Sequence, residues 1–171
     1  MKNILQKYAH LLVNYCLEIK EGDWLYVRST TLAEPLIREV YRETLRAGGH
    51  IETNLSVQGQ GRIFNQEAAE HQLKMVSPFY QHAIEKFDAY LYIRAPFNLR
   101  AGQNNDPEKG KISQQAHREI SKIYSQRTAT RDLRRNLCQY PTIASAQNAG
   151  MSLEEYEHFV FNACKLYADD P

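Results

Sequence analysis

Residues 24–57 have the sequence WLYVRSTTLAEPLIREVYRETLRAGGHIETNLSV, and this stretch sets the architecture. Its two ends, residues 24–28 and 50–57, are rich in the β-branched and aromatic side chains typical of strands. Between them, apolar residues recur at the spacing of one helical face. These residues are Leu36, Ile37, Val40, Tyr41 and Leu45. A strand, a helix and a strand joined by tight connections form a βαβ unit, which predicts a parallel sheet.

Local signals mark where this central helix begins and ends. Thr31 and Glu34 have the spacing of a capping box, and Pro35 falls in the first turn. The pair Gly48-Gly49 predicts the stop at the other end. Upstream, a helix is predicted from an apolar stripe that consists of Ile4, Leu5, Tyr8, Leu11, Leu12 and Tyr15.

The second half of the chain continues the alternation of strands and helices. Residues 58–62 are predicted as a loop, 66–75 and 78–87 as short helices, and 89–94 as an apolar, central strand. Asp106 and Pro107 predict the start of a long polar helix that runs to about residue 126. A fourth strand is expected at 133–140. A short helix is expected from Pro141 to Gly150, and a last helix displays Tyr156, Phe159, Val160 and Cys164 on one side, with Ser152 and Glu155 as its capping box.

These elements predict a single α/β domain over residues 1–171, a three-layer α/β/α fold with a mostly parallel sheet of about four or five strands. A hydrophobic content of 43% is sufficient for a real core. The formal charge of +1 gives no broad field for nucleic acid or an anionic membrane. No apolar run approaches the roughly 20 residues that span a bilayer, and the start lacks a secretory signal, so a cytoplasmic protein is expected.

Several residue patterns resemble parts of known catalytic sites, and each is incomplete. Gly59 and Gly61 begin a dinucleotide-binding loop, but Phe64 occupies the place of the third glycine. His117 and Glu119 match the first half of a zinc deaminase signature without the cysteines that complete it. There is no His-Glu-x-x-His pair and no phosphate-binding Gly-x-x-x-x-Gly-Lys loop.

Two further carboxylate and histidine groups have spacings that suit a metal. Glu155 and His158 have the Glu-x-x-His spacing of di-iron bundles, which need the motif twice. Glu67, Glu70 and His71 share a helical neighbourhood, for which an exposed charged face is expected. The three cysteines, Cys16, Cys138 and Cys164, are expected to be small buried thiols without disulfides.

Arginine and tyrosine form the remaining distinctive patterns. A basic cluster comprises Arg127, Arg131, Arg134 and Arg135, between Tyr124 and Tyr140. It is expected to pair with Asp132 and Glu119, with an anion or a partner domain as the alternative. Most of the eleven tyrosines are expected to fill core volume while their hydroxyls reach a surface or an interface.

The run at residues 140–164, YPTIASAQNAGMSLEEYEHFVFNAC, closely resembles the thermophilic metalloprotease (M29) family of aminopeptidases. Further segments match in the order that the family shows, so the resemblance covers essentially the whole chain. They are residues 7–13 (KYAHLLV), 33–42 (AEPLIREVYR), 87–90 (FDAY), 105–109 (NDPEK) and 126–128 (QRT).

The resemblance implies a noncatalytic N-terminal domain of a two-domain enzyme that releases N-terminal residues from peptides. In that family a pair of zinc or cobalt ions is held by carboxylates, histidines and a tyrosine of a C-terminal catalytic domain, which is expected to be missing from these residues. No catalytic, cofactor-binding or metal residue is therefore transferred to this sequence, and the chain alone is predicted to be inactive. Its expected partners are that catalytic domain, peptide substrates through it, and a second copy in a homodimer.

Two other interpretations of the function remain open. The chain is alternatively a naturally short binding or scaffold module without peptidase activity. It is otherwise an independent domain with a small-molecule site at the carboxyl ends of its parallel strands, where such sheets usually place one.

Overall fold

The chain alternates strands and helices throughout residues 2–168, the part that the computed structural model describes. The strands are β1 (Trp24–Thr30), β2 (His50–Ser56), β3 (Ala89–Arg94) and β4 (Arg134–Gln139). The helices are α1 (Lys2–His10), α2 (Glu34–Arg46), α3 (Gln60–Glu67), α4 (Glu70–Leu73), α5 (Pro78–Lys86), α6 (Pro107–Ala116), α7 (Arg118–Ala129), α8 (Ile143–Asn148) and α9 (Leu153–Ala163). A π-helical turn (Leu11–Cys16) extends α1, and a 3-10 turn (Thr31–Ala33) precedes α2.

The four strands form one all-parallel sheet in the order β2-β1-β3-β4. The predicted α/β fold with a parallel sheet is confirmed, and β3 is central as expected. In the register, Leu25 of β1 lies between Ile51 and Ala89 on its two neighbours. Parallel sheets normally have helices on both faces, so most side chains of the two inner strands, β1 and β3, are expected to be covered.

The first face of the sheet carries the larger core. Leu25 and Val27 of β1 and Leu91 and Ile93 of β3 are fully buried there. They pack with apolar residues of α1, α2 and α9 in one cluster. Each of these side chains contributes roughly 1.5–3 kcal/mol by burial, so this layer supplies much of the stability of the domain.

The second face is covered over its amino half only. Tyr26 and Tyr90 are buried there against α5 and α7, in a smaller cluster that includes Ile84 and Ile120. Further along the same face, Tyr92 and its register partner Leu137 are exposed. The helices on both sides confirm the three-layer arrangement, and the carboxyl half of the second face is open.

The predicted stripe on the first helix fails at its end. Tyr15 is 78% exposed, whereas Val13 and Leu17 are buried. The reason is the π-helical turn, in which Leu17 N donates to Leu12 O at 3.0 Å, five residues back. This wider turn rotates the following side chains, so the buried face shifts away from Tyr15.

The central helix differs from prediction at its start and along its face. The capping box of Thr31 and Glu34 is wrong, because the chain enters α2 through a 3-10 turn that Thr30 caps instead. Pro35 in the first turn and the stop at Gly48, with φ at +81°, are as predicted. Tyr41 and Leu45 were expected in the core and are exposed, since the face that meets the sheet is narrower than the apolar pattern.

Two other predictions need correction. The loop expected at 58–62 ends early, because Gln60 accepts a hydrogen bond from Val57 N at 3.1 Å and begins α3. In α9 the capping box of Ser152 and Glu155 is confirmed, but Phe159 is exposed and Phe161 is buried instead. The polar helix begins as predicted with Asp106 as its cap, and it is interrupted at His117 between α6 and α7.

The arginines pair with other residues than expected. Arg134 Nη2 donates to the Asp23 carboxylate at 2.7 Å, and Arg131 donates to Glu18 at 3.0 Å. Arg127 bonds to the main-chain oxygens of Ile84 and Asp132. The sequence prediction was wrong because parallel strands bring Asp23, which precedes β1, and Arg134, which begins β4, to the same edge of the sheet.

We expect Arg134→Gln to lower the free energy of unfolding by about 2–3 kcal/mol, because it leaves a mostly buried carboxylate without its charged donor. The side chains of Arg134 and Asp23 are only 16% and 18% exposed. Urea unfolding measures the effect. The control is Arg131→Gln. The side chains of Arg131 and its partner Glu18 are 68% and 51% exposed, so this ion pair contributes less than about 1 kcal/mol to the free energy of unfolding. Equal losses in both variants would contradict the assignment.

Candidate functional site

A groove of about 940 Å³ runs between β2 and α5 on the second face of the sheet. The rings of Trp24, Phe79 and Phe87 line it, and Phe79 is 81% exposed. Trp24 packs against Phe87 with ring centroids 5.2 Å apart. The local sequence explains the exposed ring: Ser77 caps α5 and Pro78 begins it, so Phe79 lies in the first turn, at the rim.

Arg28 lies next to this groove. It projects on the same face as Tyr26, two residues before it on β1, because side chains alternate along a strand. Its guanidinium carbon is 5.0 Å from the centre of the Tyr80 ring, a cation–π distance. Within residues 2–168 no carboxylate lies within ion-pair distance of Arg28. The half-buried guanidinium therefore has aromatic neighbours and no counter-ion in the described chain.

Tyrosines surround this guanidinium. Burial raises the pKa of Tyr90 to about 12, although Arg28 opposes the shift, so the phenol stays neutral at physiological pH. Burial likewise raises the pKa of Tyr26, against the opposing effects of Arg28 and Asn54. The Asn54 side chain lies near the buried Tyr26 hydroxyl, but in the described chain that hydroxyl makes no hydrogen bond of good geometry. The sequence prediction that tyrosine hydroxyls reach a surface is wrong for this one.

A second, smaller cavity of about 440 Å³ opens at the carboxyl edge of the sheet. The loops that follow β1, β3 and β4 line it, through residues such as Leu32, Pro96 and Ile143. The gap between β1 and β3 is itself closed, because Ser29 Oγ donates to Ile93 O at 2.8 Å and Thr30 Oγ1 donates to Ala95 O at 2.5 Å. The small-molecule alternative from the sequence therefore has a cavity at the expected edge, displaced onto the loops.

The structure separates the histidine and carboxylate pairs. His117 Nδ1 contacts Ser113 O at 2.8 Å, whereas Glu119 pairs with Lys122 at 2.7 Å. Glu155 accepts from Ser152 N at 2.8 Å. His158 instead stacks on Tyr167, with ring centroids 4.9 Å apart. Each of these side chains has a structural partner of its own.

The remaining candidates are exposed. Glu67, Glu70 and His71 lie on the surface of α3 and α4, as expected for a charged face, and Glu70 pairs with Lys74 at 2.6 Å. Gly59 adopts a left-handed conformation directly before α3, and Phe64 lies within that helix, half exposed.

The thermophilic metalloprotease (M29) family matches residues 1–171, the whole chain. The chain belongs to this family. Among solved structures it is similar to wild-type AmpT from Thermus thermophilus, with a TM-score of 0.76 and 18% sequence identity over 95% of this chain. The matched part is 42% of the AmpT chain, so the present chain spans less than half of that protein. No curated protein matches the chain.

An M29 metalloprotease requires side chains that hold its metal ions, and the donors in the described chain do not fit that task. Across residues 2–168, no three His, Cys, Asp or Glu side chains converge in a metal-binding group. The same residues contain no helix long and apolar enough to cross a membrane. The metal dependence of the M29 family therefore has no assigned ligand in this part of the molecule.

The three thiols of this M29 chain converge, which the sequence did not predict. Cys138 is buried, Cys16 and Cys164 are half-buried, and all three are free. Cys164 Sγ lies 3.8 Å from the Tyr8 hydroxyl, which also donates to Gln139 O at 3.2 Å. The pKa of Cys138 is raised to about 12, chiefly by burial and less by the neighbouring Cys164 and Cys16, although the hydrogen bond with Tyr8 opposes the shift. The Cys138 thiol is therefore a poor nucleophile at neutral pH.

We expect the buried Cys138 thiol to make the stability of the chain fall at alkaline pH. Its folded pKa of about 12 exceeds the ordinary value of about 8.5, so the unfolded chain loses this proton first. Between roughly pH 9 and pH 12 the free energy of unfolding then falls by up to about 1.4 kcal/mol per pH unit. Urea unfolding of the wild type and of Cys138→Ala over this range measures the difference, in which titrating groups that do not interact with Cys138 cancel. Identical slopes would contradict the prediction.

Proposed function

We propose that this chain is the noncatalytic N-terminal domain of a metal-dependent aminopeptidase, which releases N-terminal residues from peptides. The family match over the whole chain is the observation that carries the proposal. The shared fold supports it, because these residues correspond to 42% of the AmpT chain. In the proposed enzyme, a pair of divalent ions in the catalytic domain supplies the activated water, and this domain supplies no ligand to them.

The role of the domain is to support the catalytic domain and to help enclose the cleft that admits peptide ends. The open carboxyl half of the second sheet face is the surface that we assign to this contact. Tyr92 and Leu137 are exposed there on adjacent strands, and Leu32 and Ile143 are exposed at the carboxyl-edge cavity. Exposed apolar side chains grouped in this way are typical of surfaces that meet another domain. A homodimer of the complete, cytoplasmic enzyme belongs to the same proposal.

The first test is hydrolysis of a leucine arylamide by the purified 171-residue chain, with zinc or cobalt added and a chelator as control. We expect no metal-dependent turnover, because the reacting groups lie in the catalytic domain. Chelator-sensitive turnover that copurifies with the chain would overturn the proposal. His71, His117 and His158 would then be the first residues to substitute.

The second test concerns the supporting role. The reading frame downstream of residue 171 is sequenced, and any catalytic segment that it encodes is produced with and without this chain. We expect chelator-sensitive turnover to be higher when both are present, and Leu137→Asp to reduce that gain without unfolding the chain. A stop codon directly after residue 171, with a stably folded chain, would favour a binding or scaffold module instead.

A further inference from the structure

We propose that the groove between β2 and α5 binds a small aromatic carboxylate, with its ring against Phe79 and Trp24 and its carboxylate on Arg28. This inference goes beyond the proposed role in an aminopeptidase and does not rest on it. It stands on the shape of the groove, on the aromatic side chains that line it and on the charges at its two ends.

The walls of the groove suit a planar apolar group. Its volume of about 940 Å³ lies within the range of small-molecule sites, which are lined by aromatic side chains and a few polar groups. Phe79 is 81% exposed, although a ring of this size is strongly stabilised by burial. A ligand ring bound in the groove covers apolar surface of the side chains that line it, among which are Phe79, Trp24 and Phe87.

A cation beside the groove, unpaired in the part of the chain that the structure describes, favours an anion. Lys86 lines the end near Phe87 and Trp24, and Arg28 lies just beyond the lining residues Tyr26 and Asn54, at the other end. Glu52 also lines the groove. It is the register partner of Tyr26, whereas the register partner of Arg28 is Asn54. Glu52 is therefore two residues nearer to the Lys86 end of the groove. A carboxylate at Arg28 therefore lies beside Asn54, about 7 Å further along β2 than Glu52.

The surroundings of Arg28 favour binding of a carboxylate. Its guanidinium rests on the Tyr80 ring and lies beside neutral phenols, so nothing in the described chain neutralises its charge. A guanidinium binds a carboxylate through two parallel hydrogen bonds, which is stronger than a contact with a neutral acceptor. The exposed amide of Asn54 adds a donor next to it.

The test is calorimetric titration of the 171-residue chain with 3-phenylpropionate and with its uncharged analogue, 3-phenylpropanamide. We expect saturable, roughly millimolar binding of the carboxylate, at least about tenfold tighter than that of the amide. No binding of the carboxylate up to about 10 mM, or equal binding of both compounds, would overturn the proposal.

Two pairs of variants assign the contacts. Arg28→Gln and Lys86→Gln each remove one positive charge, and only Arg28→Gln should weaken binding about tenfold or more. Equal losses would mean general attraction by charge and would overturn the assignment. Phe79→Ala should also weaken binding. Its control is Tyr15→Ala. The Tyr15 side chain is 78% exposed, close to the value for Phe79, but it lies on the helical segment that covers the first face, away from the groove.

Since Phe79 is so exposed, Phe79→Ala should fold like the wild type, and circular dichroism checks this for all four variants. Unchanged affinity in a folded Phe79→Ala chain would place the ligand elsewhere and overturn the proposal. The titration measures ligand affinity of the chain itself. Its outcome is therefore independent of whether the aminopeptidase proposal is upheld.

Discussion

Burial of the two central strands, along the whole of one face and along the amino half of the other, is the constraint on which the rest of the structure depends. β1 and β3 have hydrogen-bonded neighbours on either side, so their side chains can be shielded from water only by helices above and below. On the first face, Leu25, Val27, Leu91 and Ile93 meet this demand with purely apolar contacts. The helices α1, α2 and α9 are held in place because they cover these side chains.

On the second face, tyrosines cover the central strands, and their hydroxyls form the polar surroundings of Arg28. A buried phenol fills volume as a phenylalanine does, but it also places a hydroxyl inside the protein. Tyr26 and Tyr90 bring such hydroxyls beside Arg28, whose charge tolerates this position because the Tyr80 ring and neutral phenols surround it. The helices α5 and α7 end over the amino half of the face, so the guanidinium remains next to an open groove.

Those parts of the fold that rest on local periodicity were predictable from the sequence. The βαβ unit, the parallel sheet and the caps at Asp106 and Ser152 follow from spacing and turn chemistry within a few residues. The errors arise where geometry departs from the ideal period. The π-helical turn moved Tyr15 out of the core, and the 3-10 turn before α2 replaced the expected capping box. Neither turn has a local signal as clear as a proline or a glycine.

The site was less predictable than the fold, because its members come together only through strand order. Arg28, Tyr80 and Tyr90 are distant in sequence, and the register of β1 and β3 with the placement of α5 makes them neighbours. The pairing of Asp23 with Arg134 and the convergence of Cys138 and Cys164 on Tyr8 likewise join segments that are distant in sequence. A sequence pattern reports residues near in the chain, whereas these contacts link segments separated by up to the length of the domain.

Within the family, the fold and a metal centre place different constraints on the sequence. The chain shares its fold with AmpT at only 18% identity, which is possible because a core requires apolar side chains at the right period and tolerates many exchanges among them. A metal centre tolerates few exchanges, since each ligand must have a given donor atom at a given distance. Arg28 stacks on the Tyr80 ring but has no ion-pair partner among residues 2–168. Packing therefore accounts for its stem and ring contact, whereas the aromatic groove beside it is the surface on which we expect its charge to act.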